Sequence, residues 1–66
     1  MSIPIEIIAN NLQKERKSAA LSLGEVARRA GIAKSTLSQL ESGQGNPSLE
    51  TLWALCVALN IPFAKL

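Results

Sequence analysis

The sequence predicts an all-α domain of five short helices around one small core, with a steep two-helix unit in its middle third. Three observations carry this prediction. Apolar residues recur at three- and four-residue spacing, and no segment alternates apolar and polar residues long enough to make a strand. Ser, Pro, Gly and Asn punctuate those runs at the places where helices start and stop. A length of 66 residues, 47% apolar and 18% charged, suits a single domain spanning residues 1–66. A chain this short buries about 60% of the surface it exposes when unfolded.

The first helix is expected from near Pro4, a residue favoured in a first turn, to about Lys17, with Ile5, Ile8 and Leu12 as its inward stripe. The second starts after Ser22. Ser22 and Glu25 have the spacing of a capping box, in which each side chain satisfies the other's free backbone amide. Val26, Ala27 and Ala30 face inward, and Gly31 ends the helix. The third runs from about Lys34 to Ser42, with Leu37 and Leu40 inward and Gly43 as a left-handed cap. Gln44 to Pro47 is a loop, marked by Asn-Pro.

Ser48 caps the fourth helix, which carries Leu49, Leu52, Leu55, Cys56 and Leu59 on one face and closes at Asn60. Pro62 starts a last turn holding Phe63 and Leu66. Trp53 and Val57 project roughly 100° to 140° from the centre of the fourth helix's stripe. Either Trp53 folds over Phe63 and the last turn, or the pair marks a surface that a partner covers.

Composition narrows the function. The chain has no His and no Tyr, and all five of its acids are Glu. A Ser or Cys nucleophile would lack a His base, and a metal site would lack ligands. The expectation is no catalysis, no cofactor and no metal. Cys56, the one cysteine, can form no internal disulfide, so it reads as a core residue in a reducing compartment. No apolar run approaches the roughly 18 residues that span a bilayer, and no secretion signal precedes the first helix. A cytoplasmic protein is expected. The net charge of +2 permits nucleic-acid binding, and the placement of the charges has to decide.

Residues 23 to 42 are the informative stretch. Two helices that cross steeply through a tight turn need a small residue at closest approach, here Ala27, and a turn residue tolerant of positive φ, here Gly31. Val26, Ala30, Ile32, Leu37 and Leu40 have the spacing to fill the angle between them. An ordinary helical hairpin is the alternative. On the third helix, 100° steps put Ala33, Leu37, Leu40 and Glu41 on one side and Ser35, Ser38, Gln39 and Ser42 on the other, with Lys34 at the free end. The outward face is short, polar and nearly uncharged. In a major groove Gln pairs bidentately with adenine, Lys reaches guanine, and Ser takes several partners. A protein-interaction module on the same helical fold is the competing function. Its interface core should be aromatic and apolar, which this face is not.

The segments L-S-L-G-E-V-A-R-R-A-G-I, S-T-L-S-Q-L-E-S-G and N-P-S-L-E-T-L lie within Ile8–Leu66. Together they resemble the Xre-type helix-turn-helix family, which includes the lambda-type phage repressors. The resemblance implies a compact five-helix lambda-repressor-like fold with the helix-turn-helix at about 23–42. It also implies a bacterial transcriptional regulator that binds double-stranded DNA sequence-specifically, as a homodimer on a palindromic operator. In that family the positions matching Lys34, Ser35, Ser38 and Gln39 read bases, with the helix at about 34–42 in the major groove. The N-terminus of the second helix, Ser22-Leu23-Gly24, would point amides at a phosphate. Ser42, Gln44 and Asn46 would meet the backbone on the other side, and Lys14 and Lys17 would add charge. N-P-S-L-E-T-L-W followed by N-I-P-F further resembles members whose DNA-binding domain precedes a cupin-type sensor. The chain is therefore either a fragment of a longer regulator or a stand-alone one.

One departure from the family pattern stands at Ala33, where Ser or Thr is frequent, so a helix cap is lost. Two charges also sit on inward stripes: Arg16 four residues after Leu12, and Glu41 four after Leu37. A lone buried charge is costly, so opposite charges on facing stripes should pair. Family members have a corresponding Arg–Glu pair, and Arg16–Glu41 reads as structural.

Overall fold

The computed structural model describes residues 4–65. Four α-helices follow one another: α1 (Ile5–Ser18), α2 (Leu23–Ala30), α3 (Lys34–Glu41) and α4 (Leu49–Leu59). The expected fifth helix is a single 3-10 turn, Phe63–Lys65. That turn is closed by the Lys65 N–H donating to the Pro62 carbonyl at 3.0 Å. Leu66, expected in the same turn, lies outside the described residues.

Local chemistry sets the boundaries. Pro4 occupies the N-cap position of α1 in extended conformation, and its carbonyl accepts from Ile7 N–H. Ser22 Oγ accepts from Glu25 N–H at 3.1 Å, which is half of the expected capping box. Glu25's carboxylate does not return the bond to Ser22. It is taken by Arg28 and by Arg29, whose Nε donates at 2.8 Å. Ser48 Oγ accepts from Thr51 N–H at 3.1 Å and starts α4.

All four helices end in one way. A left-handed residue follows the last turn, and the next amide reaches back five positions to an orphan carbonyl. The left-handed residues are Ala20, Gly31, Gly43 and Asn60, and the closing bonds are Leu21 to Arg16, Ile32 to Ala27, Gln44 to Gln39 and Ile61 to Cys56. Gly31 and Gly43 take this conformation without steric cost. Ala20, at φ 58°, does so with its Cβ crowded by the following carbonyl.

Packing pairs α2 with α4, α1 with α3, and α2 with α3. Ile8, Leu12, Val26, Ala27, Leu37, Leu40, Leu55 and Leu59 form the core, and burying each of the larger ones contributes about 1.5–3 kcal/mol. Ile5, Leu23, Ala30, Ile32 and Leu52 seal its edge. Two inward expectations fail. Leu49 is 71% exposed, because it lines an open groove between the first turn of α1 and the Gly45–Pro47 loop rather than a packed wall. Ala33 is also exposed: it is the extended residue before α3, φ −70° and ψ 144°, so helical spacing does not govern its direction. Among the described residues no helix is long and apolar enough to cross a membrane.

Candidate nucleic-acid interface

The middle of the chain is built to hold α3 by one side and leave the other bare. Leu37 is fully buried and Leu40 nearly so, and Ala27 on α2 lets the two helices approach. Beyond the leucines, the end of α3 is fixed by charge. Arg16 Nε donates to Glu41 Oε2 at 2.7 Å and Nη2 to Oε1 at 3.0 Å, a two-point grip. The remaining Nη1 donates to the Leu21 carbonyl at 3.1 Å. Glu41 is 7% exposed, so its charge depends on that guanidinium. The hydrogen bonds that Arg16 donates to Glu41 hold the Arg16 pKa above its ordinary value, against the opposing effect of burial. One arginine thus joins α1, the α1–α2 turn and α3.

Lys34, Ser35, Thr36, Ser38 and Gln39 are all exposed. The structure also brings some of the sequence-predicted residues together. A side chain at Gly24 would touch the Lys34 stem, 3.8 Å from Cδ, so Lys34 lies against the first turn of α2. Gln39 and Asn46 share an open cleft of about 310 Å³ with Thr36, Ser48 and Thr51, floored by Leu40 and Pro47. Ser22 keeps its hydroxyl proton free while its oxygen caps α2. Ser42 does not, since its hydroxyl donates to the Gln39 carbonyl at 2.9 Å. Leu23 packs against the core, which leaves only its backbone for a ligand.

The α1 lysines, Lys14 and Lys17, are both exposed. Lys17 lies about 40° round the helix from Gln13, whose amide reaches the Glu41 carbonyl at the end of α3. Lys14 is turned roughly 200° from Leu12, away from the core and from α3.

Two features escaped the reading of the sequence. Thr36 stands on the flank of α3, about 100° from Leu37, and was hidden by a two-sided division of the helix. The Glu25–Arg28–Arg29 cluster was hidden by assigning Glu25 to a cap, although i to i+3 and i+4 spacing announces it. Hydrogen bonds from Arg29 and then Arg28 hold the Glu25 carboxyl below the usual carboxylate range. Burial pushes the Cys56 thiol up, which keeps it protonated and unreactive. Among the described residues no cluster of His, Cys, Asp or Glu could hold a metal.

The helix-turn-helix family model matches residues 12–66. The chain belongs to the helix-turn-helix family. Within it, the HTH-type transcriptional regulator SutR of Escherichia coli is 32% identical over 57 residues. That match covers 86% of this chain and 32% of SutR, so this helix-turn-helix chain spans about a third of that relative's length.

Solved helix-turn-helix structures superpose closely. The restriction-modification controller protein C.AhdI from Aeromonas hydrophila gives a TM-score of 0.90 at 28% identity, with 92% of each chain covered. SinR, the master regulator for biofilm formation, solved in complex with DNA, gives 0.81 at 36% identity, covering 86% of this chain and 92% of that one. In the helix-turn-helix frame, α2 and α3 are the motif's two helices and Gly31 its turn.

Proposed function

We propose that this chain is the DNA-reading domain of a bacterial transcriptional regulator, binding double-stranded DNA sequence-specifically with α3 in the major groove. The observation that carries this reading is the outer face of α3. Ser35, Ser38 and Gln39 stand exposed on a helix whose opposite side is buried and whose end is clamped by Arg16. Hydroxyls and an amide on short stems let a backbone come close to base edges, and a rigid helix gives those groups a fixed register. The likeness to SinR, solved with DNA, supports the same placement.

In this reading Gln39, Ser35 and Ser38 face bases, while Lys34 works at the boundary between base and backbone. The amides of the α2 first turn, with the Ser22 hydroxyl, hold a phosphate, and Gly24 keeps that turn free of side-chain bulk. Gln44 and Asn46 approach the backbone from the far side of α3, and Thr36 joins Gln39 there. Two copies on half-sites about 34 Å apart would read a palindrome. The work is binding rather than catalysis, and its place is the bacterial cytoplasm. A sensor domain of cupin type would follow in a longer chain.

Selection of bound sites from a random duplex pool tests the reading. The expected result is one enriched motif for the natural chain and a motif relaxed at one base pair for Gln39→Ala. Failure of the natural chain to enrich any motif would transfer the function to protein contacts.

A further inference from the structure

The Glu25–Arg28–Arg29 cluster lies beside the reading face without belonging to it. One carboxylate oxygen, Glu25 Oε2, accepts from Arg28 Nη2 and from Arg29 Nε, the latter at 2.8 Å. The cluster sets two cations against one anion, so its net charge is positive. Both arginines are largely in solvent, with the Arg28 side chain 72% exposed and that of Arg29 47%. A guanidinium carries five N–H donors, and among the described residues Arg28 commits one of them, to Glu25.

Helical angles separate the two arginines. Counted from Gly24 in steps of about 100°, Arg28 lies at about 40°, Glu25 at about 100° and Arg29 at about 140°. Gly24 marks the side of α2 that faces the start of α3, because a side chain there would touch the Lys34 stem at 3.8 Å. Arg28 stands on that same side, about 6 Å further along the axis, whereas Arg29 is turned away from it. Lys34, the first turn of α2 and Arg28 therefore form one row: a cation, free amides with a hydroxyl, and a second cation. Glu25 is the single acid on α2, and it stands at the edge of that row.

We propose that Arg28 is a phosphate-binding residue that Glu25 holds in the free chain and releases to DNA, so that Glu25 sets how tightly any duplex is held. This rests on the DNA reading proposed above and extends its row of phosphate contacts by one turn of α2.

The exchange is favourable for Arg28. Leaving Glu25 costs it little, because an exposed ion pair is weak. Glu25 is not stranded either, since Arg29 keeps its bond to the same oxygen. In the free chain Arg28 reaches Glu25 through one nitrogen and shares the oxygen with Arg29. A phosphate offers its guanidinium fork two oxygens in matching geometry, and the duplex releases a counterion on contact. The Glu25 carboxylate, left near the backbone, opposes the approach of every sequence alike. Its influence therefore falls on non-specific binding and leaves base reading to α3.

Anisotropy titration of a long random-sequence duplex with the 66-residue chain, from about 50 to about 200 mM salt, is the test. Arg28→Gln should weaken binding roughly 10-fold at the lower salt and reduce the slope of log K against log salt by about 0.9 per copy. A slope change of that size makes the loss shrink about threefold by the upper salt. Arg28→Lys should recover most of the slope, since a phosphate also accepts a point charge. Arg29→Gln should keep the natural slope. Glu25→Gln should tighten binding severalfold, and removing Arg28 in that background should weaken binding more than in the natural chain. Helical circular dichroism should match in all variants, because none of the three residues belongs to the core.

A slope unchanged by Arg28→Gln, in a natural chain that does bind duplex, overturns the contact and leaves the DNA reading standing. Equal losses for Arg28→Gln and Arg29→Gln overturn it too, since diffuse charge then accounts for both. Additive effects of Glu25→Gln and Arg28→Gln overturn the release from Glu25. A natural chain that binds no duplex at any salt removes the DNA reading itself, and this contact with it.

Discussion

α3 and α4 share a core and a manner of ending, yet they show solvent opposite surfaces. Each buries leucines on its inner side, Leu37 and Leu40 on one, Leu55 and Leu59 on the other. Each closes on a left-handed residue just beyond it, Gly43 and Asn60. Outside, α3 shows hydroxyls, an amide and a lysine, whereas α4 shows leucine, tryptophan and valine. Neither outer face suits water alone. Serines lower the helix propensity of α3, since their hydroxyls compete for backbone bonds, and the stripe on α4 leaves apolar area uncovered. Inner faces explain why these helices pack, and outer faces indicate what each is for. The two surfaces involve no common residue, so a change on one need not disturb the other.

The largest expected effect breaks the support of α3 rather than its surface. Arg16→Met leaves Glu41 buried and unpaired, and urea denaturation should show a loss of about 3–5 kcal/mol. Arg16→Met with Glu41→Leu should recover most of it. Additive losses would mean that α3 is held by its leucines alone.

Gln39→Ala probes the α3 surface itself. Binding to a selected site should weaken by about 1–3 kcal/mol with discrimination lost at one base pair, while the melting temperature stays put. Val57→Glu, on the α4 surface, should keep that discrimination. If both variants lose discrimination, the two faces are not separate.

Ala20→Gly sharpens the contrast from outside both surfaces. It relieves a left-handed alanine that costs about 1–2 kcal/mol and gives back part of that as unfolded-chain freedom. The net gain should be about 0.5–1 kcal/mol, or a few degrees in thermal melting, with DNA affinity unchanged. The smallest effect belongs to Glu25. Its carboxyl lies below the ordinary range when folded, so its contribution is present above the unfolded pKa and fades as pH falls through the folded one. An exposed cluster of this kind contributes little. Glu25→Gln should slightly flatten the acid limb of a stability–pH profile, and an unchanged limb would show that the arginines do not hold it in solution.

Much of this was legible in the sequence because short-range chemistry sets it. Ser22 and Ser48 accept the amide three residues on, Gly31 and Gly43 turn left-handed, and Arg16 meets Glu41 across two inward stripes. What could not be read depends on neighbours distant in sequence. Leu49 belongs to the apolar pattern of α4 but faces a groove that nothing fills. Glu25 fits a capping box until two arginines compete for its carboxylate. For Trp53 helical angles alone offer two separate fates, because they do not show that a ring can be stacked on one face and wet on the other. At the interface, residue type and helical angle marked Ser35, Ser38 and Gln39, but only the fold joins Lys34 to Gly24 and Asn46 to Gln39.

The Arg16–Glu41 grip also separates two responses to ionic strength. Mobile ions screen exposed charges beyond about 8 Å at physiological salt, but they reach poorly into a pair whose side chains are only 15% and 5% exposed. Added salt should strip phosphate contacts, with a slope of log K against log salt of roughly −5 to −9 for a bound pair of chains, while α3 stays seated on α1. A salt series on this domain therefore measures its hold on a polyanion without loosening the hand that does the holding.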